Sequence, residues 1–185
     1  MKHLRLSYLP MAIVLAAFLI TACEPADDDD SGSEEPTVTN AVAVLHPTAG
    51  NQVTGIVHFS ATAQGVQITA DLDGLTPGDH GFHIHALGDC SAPDATSAGG
   101  HFNPDGTPHA GPDAAQRHVG DLGNITADSA GHAHYERTDT VIALDEAHSI
   151  VGRAVVVHGG ADDFTSQPSG AAGPRVACGV VGIAR

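Results

Sequence analysis

Gly81-Phe82-His83-Ile84-His85 places two imidazoles two residues apart in a stretch with strand-forming neighbours. In an extended chain alternate residues share a face. His83 and His85 then project together, with Cα atoms about 6.5 Å apart, while Ile84 turns the other way. Two imidazoles at that spacing can converge on one metal ion, although an isolated pair is as readily an ordinary surface feature of a strand. Downstream, His101, His109, His118 and Asp121 fall in one Gly/Pro-rich stretch, and His158 closes the apolar run Ala154-Val155-Val156-Val157. The chain holds 13 histidines, a heavy load, and they are concentrated where a metal site needs them. Three histidines with one carboxylate suit tetrahedral zinc. Four imidazoles in a tetragonal array suit copper(II), which heads the affinity order for nitrogen ligands. Two four-coordinate sites built from these seven residues require one residue to serve both metals, and an imidazolate, with a nitrogen on each side of the ring, can do so.

Positioning such a set falls to a β framework. From Ala41 onward, short runs of alternating or β-branched residues are punctuated by Gly, Pro, Asn and Asp. The expected strands are Ala41–His46, Gln52–Ser60, Gly65–Leu72, His80–Ala86, Leu122–Thr126, His132–Arg137, Ser149–His158 and Ala177–Ile183. Nothing sustains a 3.6-residue apolar period over a helix length, and at most a turn is expected near Asp113–Arg117 or Leu144–Ala147. Eight strands without crossover helices imply one all-β domain over residues 41–185, an antiparallel sandwich or barrel. Two long segments, Leu87–Asp121 and Gly159–Arg175, interrupt the pattern. Structureless loops of that length inside a domain are usually functional, and these begin beside the histidine-bearing strands.

The N-terminal 40 residues read differently. Lys2 and Arg5 precede an apolar run from Leu9 to Ile20, followed by Thr21-Ala22-Cys23. That is the order of a signal peptide over residues 1–22, too short for a confident spanning helix. A cysteine directly after the small residue resembles a bacterial lipoprotein signal, which implies lipidation of Cys23 and a stable membrane anchor. Glu24 in the following position favours the outer membrane within the cell envelope. Residues 23–40 then form the lipidated cysteine and an acidic, disordered tether. Cleavage before Cys23 leaves five arginines against 22 acids, 5 − 22 = −17, with no lysine. Such a surface excludes nucleic acid as a partner class. Export also favours disulfides. With Cys23 assigned to lipid, Cys90 and Cys178 remain as an even pair whose bridge is worth about 4–5 kcal/mol in the chain-entropy account.

Five stretches carry a family resemblance: GFHIHALGDC (81–90), SAGGHFNPDGTPHAGP (97–112), RHVGDLGNITAD (117–128), VVVHGGADD (155–163) and GAAGPRVACGVVGIAR (170–185). Together they resemble copper,zinc superoxide dismutase of the bacterial exported type, from about Ala41 to the C-terminus. The resemblance implies an eight-stranded antiparallel Greek-key β-barrel of immunoglobulin-like architecture. It implies copper held by His83, His85, His101 and His158, and zinc held by His101, His109, His118 and Asp121, with His101 as the bridge. Asp162 matches the carboxylate that hydrogen-bonds His83 and His109, and Arg175 matches the arginine that attracts the superoxide anion. Cys178 matches the cysteine that anchors its strand to Cys90. The implied activity is dismutation of superoxide to oxygen and hydrogen peroxide as copper cycles between two oxidation states, with zinc in a structural role. Relatives of this type include monomers and homodimers.

The chain departs from that pattern at its rim. Leu87 stands where bacterial relatives often carry a basic residue, and Gly159–Pro174 contains no Lys or Arg. Electrostatic attraction of substrate would rest on Arg175 and the metals against an acidic surface. The rate is therefore expected to respond weakly, or even positively, to added salt. A metal-sequestering lipoprotein without turnover is the alternative from another class, but it has no need of Arg175 or Asp162. His80 reads as a packed structural residue. His132 and His134 have no matching partners and read as surface histidines; His46, His58 and His148 carry no signal. Asn124-Ile125-Thr126 is a glycosylation sequon made irrelevant by a bacterial export route.

Overall fold

The alternation that begins near Ala41 resolves into eight strands: β1 (Asn40–Pro47), β2 (Thr54–Thr62), β3 (Gly65–Asp73), β4 (Gly78–His85), β5 (Asp121–Ala127), β6 (Ala133–Asp139), β7 (Ala154–His158) and β8 (Arg175–Ile183). The computed structural model describes residues 37–185. The signal-peptide and Cys23 readings, and the tether as far as residue 36, lie outside the described residues. The strands close in the order β1-β2-β3-β6-β5-β4-β7-β8, and every neighbour pair is antiparallel. The crossings from β3 to β6 and from β4 to β7 give the Greek-key connectivity, so the all-β barrel is the observed fold. Closure removes exposed sheet edges.

Period-2 patterning explains the core. Along β3, Val66, Ile68, Ala70 and Leu72 are buried while the residues between them are half-buried or exposed. Phe59, Phe82, Leu45, Ile68, Ile84, Leu122 and Ile125 fill the barrel interior, as expected for a chain without tryptophan. Ile84 is fully buried there. Each such aliphatic or phenylalanine side chain contributes about 1.5–3 kcal/mol through removal from water.

Three local readings are corrected. The strand expected over Ser149–His158 begins only at Ala154. Ile150–Arg153 instead closes a turn, with Gly152 at φ +78° and the Arg153 N–H donating to the Ile150 carbonyl at 3.0 Å. Arg175 opens β8 rather than ending a loop, and pairs with His158 at a register shift. His132 stands one residue ahead of β6. Cys90 and Cys178 form a disulfide across 88 residues, tying the first long loop to β8.

Candidate metal centre

β4 carries the centre because its two faces have different solvents. Phe82 and Ile84 point into the barrel, and His83 and His85 point outward, yet all four are buried because the long loops fold over the outer face. β5 pairs with β4 only as far as Asp121 opposite His83, with a bulge between Gly81 and His83. Beyond that point the first loop takes over as neighbour. The Ala86 N–H donates to the Gly100 carbonyl at 2.8 Å, the Phe102 N–H to the Ile84 carbonyl at 2.8 Å, and the Ile84 N–H to the Gly120 carbonyl at 2.9 Å. His101 is thereby set opposite His85 in an isolated antiparallel bridge. On the other side β7 runs along β4, and its last residue is His158.

Two four-donor clusters result, each with its donor atoms within 4.8 Å of one another: His83, His85, His101 and His158, and His101, His109, His118 and Asp121. His101 belongs to both. In the first cluster each imidazole is oriented by a hydrogen bond at its far nitrogen. His83 Nε2 donates to Asp162 Oδ2 at 2.7 Å, His85 Nδ1 to the Gly99 carbonyl at 2.9 Å, and His158 Nδ1 to the Gly173 carbonyl at 3.1 Å. The inward nitrogens are then His83 Nδ1, His85 Nε2 and His158 Nε2, the last two 3.4 Å apart. In the second cluster three Nδ1 atoms crowd one oxygen, Asp121 Oδ1: His101 at 2.8 Å, His109 at 2.9 Å and His118 at 3.2 Å. Asp121 Oδ2 is occupied by the N–H groups of Ala110 and His118.

The donor sets fit metal ions. His83 Nδ1, His101 Nε2 and His118 Nδ1 are buried without a hydrogen-bond partner. A buried polar atom of that kind is costly unless something else satisfies it, and all three point into the clusters. Burial, reinforced by neighbouring histidines, lowers His83 to about 3, His85 to about 2 and His158 to about 4, despite the hydrogen bonds that favour their protonated forms. Their nitrogen lone pairs therefore stay free at ordinary pH, the state a metal ligand needs. Burial also depresses His109, but its two carboxylate partners, Asp162 and Asp121, outweigh that and raise it. Burial would raise Asp121 and Asp162, yet hydrogen bonds from His101 to the first and from His83 to the second hold both below the usual range. A carboxylate ringed by three imidazole nitrogens suits a cation at their centre.

Asp162 joins the two clusters. Its Oδ1 accepts from His109 Nε2 at 2.9 Å while Oδ2 accepts from His83. Gly170 lies against it at φ +66°, where a Cβ would fall 1.8 Å from Asp162 Oδ1 and 2.7 Å from His109 Nε2, so no side chain is tolerated. Asn124 holds Asp162 by its main chain, accepting the Asp162 N–H at 2.7 Å and donating to its carbonyl at 2.9 Å. Gln167 brackets His109 in the same way, at 2.8 Å in each direction. Asn124→Ala or Gln167→Ala should loosen a ligand without removing one. Asp162→Asn, which keeps the shape but loses the charge and one acceptor, is expected to lower metal affinity at both clusters by about 10–100-fold. Competition with a chelator checks this.

Sequence reading passed over Asn124 except as a sequon, and did not mark Gln167 or Arg117. Arg117 is buried and donates through Nη1 to the carbonyls of His118, Val119 and Asp121, at 3.0, 3.1 and 2.9 Å, and through Nη2 to Asp139 at 2.6 Å. It shapes the turn that carries two donors of the second cluster. His80 also acts on the centre, since its Nδ1 donates to the His158 carbonyl at 2.8 Å.

A cavity of about 500 Å³ opens onto the clusters, lined by His85, His101, His118, His158, Gly99 and Arg175 among others. The Arg175 guanidinium is held by the carbonyls of Ala95 and Gly99. Those two bonds leave part of its five-donor fork to face the cavity. Among the other arginines, Arg117 and Arg137 are engaged by Asp139 and Asp113, and Arg153 lies 3.4 Å over the Phe102 ring.

A closed Greek-key barrel with two donor clusters fused through one imidazole has the form of a paired metal centre. The chain belongs to the copper/zinc superoxide dismutase family, whose sequence profile matches residues 53–181. Among solved structures, the clock protein EA4 is similar, at 40% sequence identity with a TM-score of 0.75. The match covers 81% of this chain and 98% of that one.

Proposed function

We propose that the chain is an active dismutase, converting two superoxide anions and two protons into oxygen and hydrogen peroxide. The observation that carries this is Arg175, fixed by two carbonyls at the edge of the cavity that His85, His101 and His158 line. Copper held by His83, His85, His101 and His158 would supply one-electron redox chemistry, and zinc held by His101, His109, His118 and Asp121 would fix His101 and its loop. Arg175 would draw a small anion into the cavity and orient it by its free N–H groups. His101 Nε2, buried, unpartnered and bordering the same cavity, is the atom placed to hold a proton for the product. Gly99 and Gly173 hold His85 and His158 in the tautomers that leave Nε2 free.

The sequestration reading from sequence defines the competing function: metal binding without turnover. The guanidinium over the cavity favours catalysis, because storage needs no anion guide. The deciding experiment measures superoxide removal by the full chain reconstituted with copper and zinc. A rate proportional to bound copper and reduced in Arg175→Ile at unchanged copper content is expected. Stoichiometric copper without dismutation would establish the competing reading. With a net charge of −17 after Cys23 (5 − 22), the same assay should show little loss of rate with added salt. Attachment to the envelope membrane through Cys23 rests on the signal-like sequence, and a lipid-modified N-terminal peptide in a mass spectrum would test it.

A further inference from the structure

The outward face of β3 and β6 carries a second histidine pair that the metal centre does not use. Asp71 and Asp73 flank the buried Leu72 on β3, and His132 and His134 flank the buried Ala133 at the start of β6. The register sets Leu72 opposite Ala133 and Asp71 opposite His134. His134 Nδ1 donates to Asp71 Oδ1 at 2.7 Å, and His132 Nδ1 donates to Asp73 Oδ1. All four side chains are largely exposed and line a surface groove together with Thr126 and Asp128.

Each carboxylate keeps the proton on Nδ1 and leaves the lone pair on Nε2. Among the described residues no hydrogen bond engages either Nε2. A carboxylate paired to the far nitrogen is the arrangement that fixes the ring of a metal-binding histidine and raises its basicity. His83 shows the same arrangement in this fold with the nitrogens exchanged, donating through Nε2 to Asp162 and leaving Nδ1 free. The spacing repeats too: His132, just ahead of β6, and His134 on it are two residues apart and both exposed, with the buried Ala133 between them. Exposed ion pairs contribute little to stability, so two in succession are not required by the fold.

We propose that His132 and His134 form a peripheral chelate for a first-row divalent transition ion. Their two Nε2 atoms would be the ligands, Asp73 and Asp71 the groups that orient them, and water would complete the coordination. Imidazole donors favour copper(II) over nickel(II) and zinc(II), and select against calcium and magnesium. The site shares no residue with the metal centre, so it stands or falls independently of the dismutase reading.

The test is a titration of the full chain, already loaded with one copper and one zinc, with copper(II). Bound metal is counted after gel filtration, and nitrogen coordination is read by electron paramagnetic resonance. One further equivalent is expected, with a nitrogen-coupled signal distinct from that of the loaded centre. It should be lost in the H132Q/H134Q double variant and weakened about 10–100-fold in D71N/D73N. Because these side chains are exposed, the variants should keep the first two metals, which the same count verifies. Absence of a further equivalent, its survival in H132Q/H134Q, or unchanged affinity in D71N/D73N would overturn the proposal.

Discussion

Replacing His158 with alanine is expected to abolish copper binding and dismutation while leaving zinc in place and the barrel folded. His158 contributes to the first cluster alone, through the Nε2 that lies 3.4 Å from that of His85. Its loss leaves three imidazoles for an ion that prefers four in a tetragonal array. Nothing in the second cluster touches the lost ring through a hydrogen bond, so the donors of that cluster keep their partners. The main chain at 158 is held independently, by His80 through its carbonyl and by pairing with Arg175. Metal analysis of the reconstituted variant should therefore find zinc at the wild-type level and copper near zero. Superoxide removal should fall to that of copper-free protein. An unchanged rate would overturn the assignment of His158 to the redox metal.

The second large effect concerns stability. Arg117→Ala is expected to cost about 3–5 kcal/mol, the range for breaking a buried ion pair from one side. The guanidinium is almost wholly out of solvent and the Asp139 side chain entirely so. Removing the cation strands a carboxylate that Arg137 approaches only at 3.4 Å, and takes a donor from three carbonyls, of which that of His118 keeps the Asp121 N–H. Asp139 Oδ1 also accepts the N–H groups of Val141 and Ile142, so the disturbance would spread into the next turn. Because the freed carbonyls belong to the segment that presents His118 and Asp121, zinc affinity should fall with stability. Denaturant unfolding of the metal-free and zinc-loaded variant separates the two effects. A loss below about 1 kcal/mol, the level of a surface pair, would show that the pair is not what holds this turn.

Apart from β7, the strands were legible to within two residues at either end, because a two-residue period is written locally. β3 begins at Gly65 as expected and runs one residue further, while β1 starts one residue early. β7 is shorter than the apolar run that leads into it. Ile150 and Val151 continue an apolar run, and Ile150 is indeed buried, but it reaches the core from a turn rather than from a strand. At the metal centre the participating histidines could be named, since strand ends and adjoining loops must meet there. Which nitrogen each presents could not, because that is decided by Asp162 and by the carbonyls of Gly99 and Gly173. Asn124, Gln167 and Arg117 escaped for the same reason. Each has a decisive partner 22 to 58 residues away, Asp139 for Arg117, Asp162 for Asn124 and His109 for Gln167, and no local period records such pairings.

The double attachment of Asp162, to His83 on one side and His109 on the other, has a thermodynamic corollary. With His101 common to both clusters, a cation held on either side changes the orientation and charge met by a cation on the other. Coupling between two binding equilibria is reciprocal. Whatever factor zinc contributes to the hold on copper, copper must return to zinc. With both clusters filled, each binding constant would depend on the occupancy of the other by one common factor, transmitted through His101 and the carboxylate of Asp162.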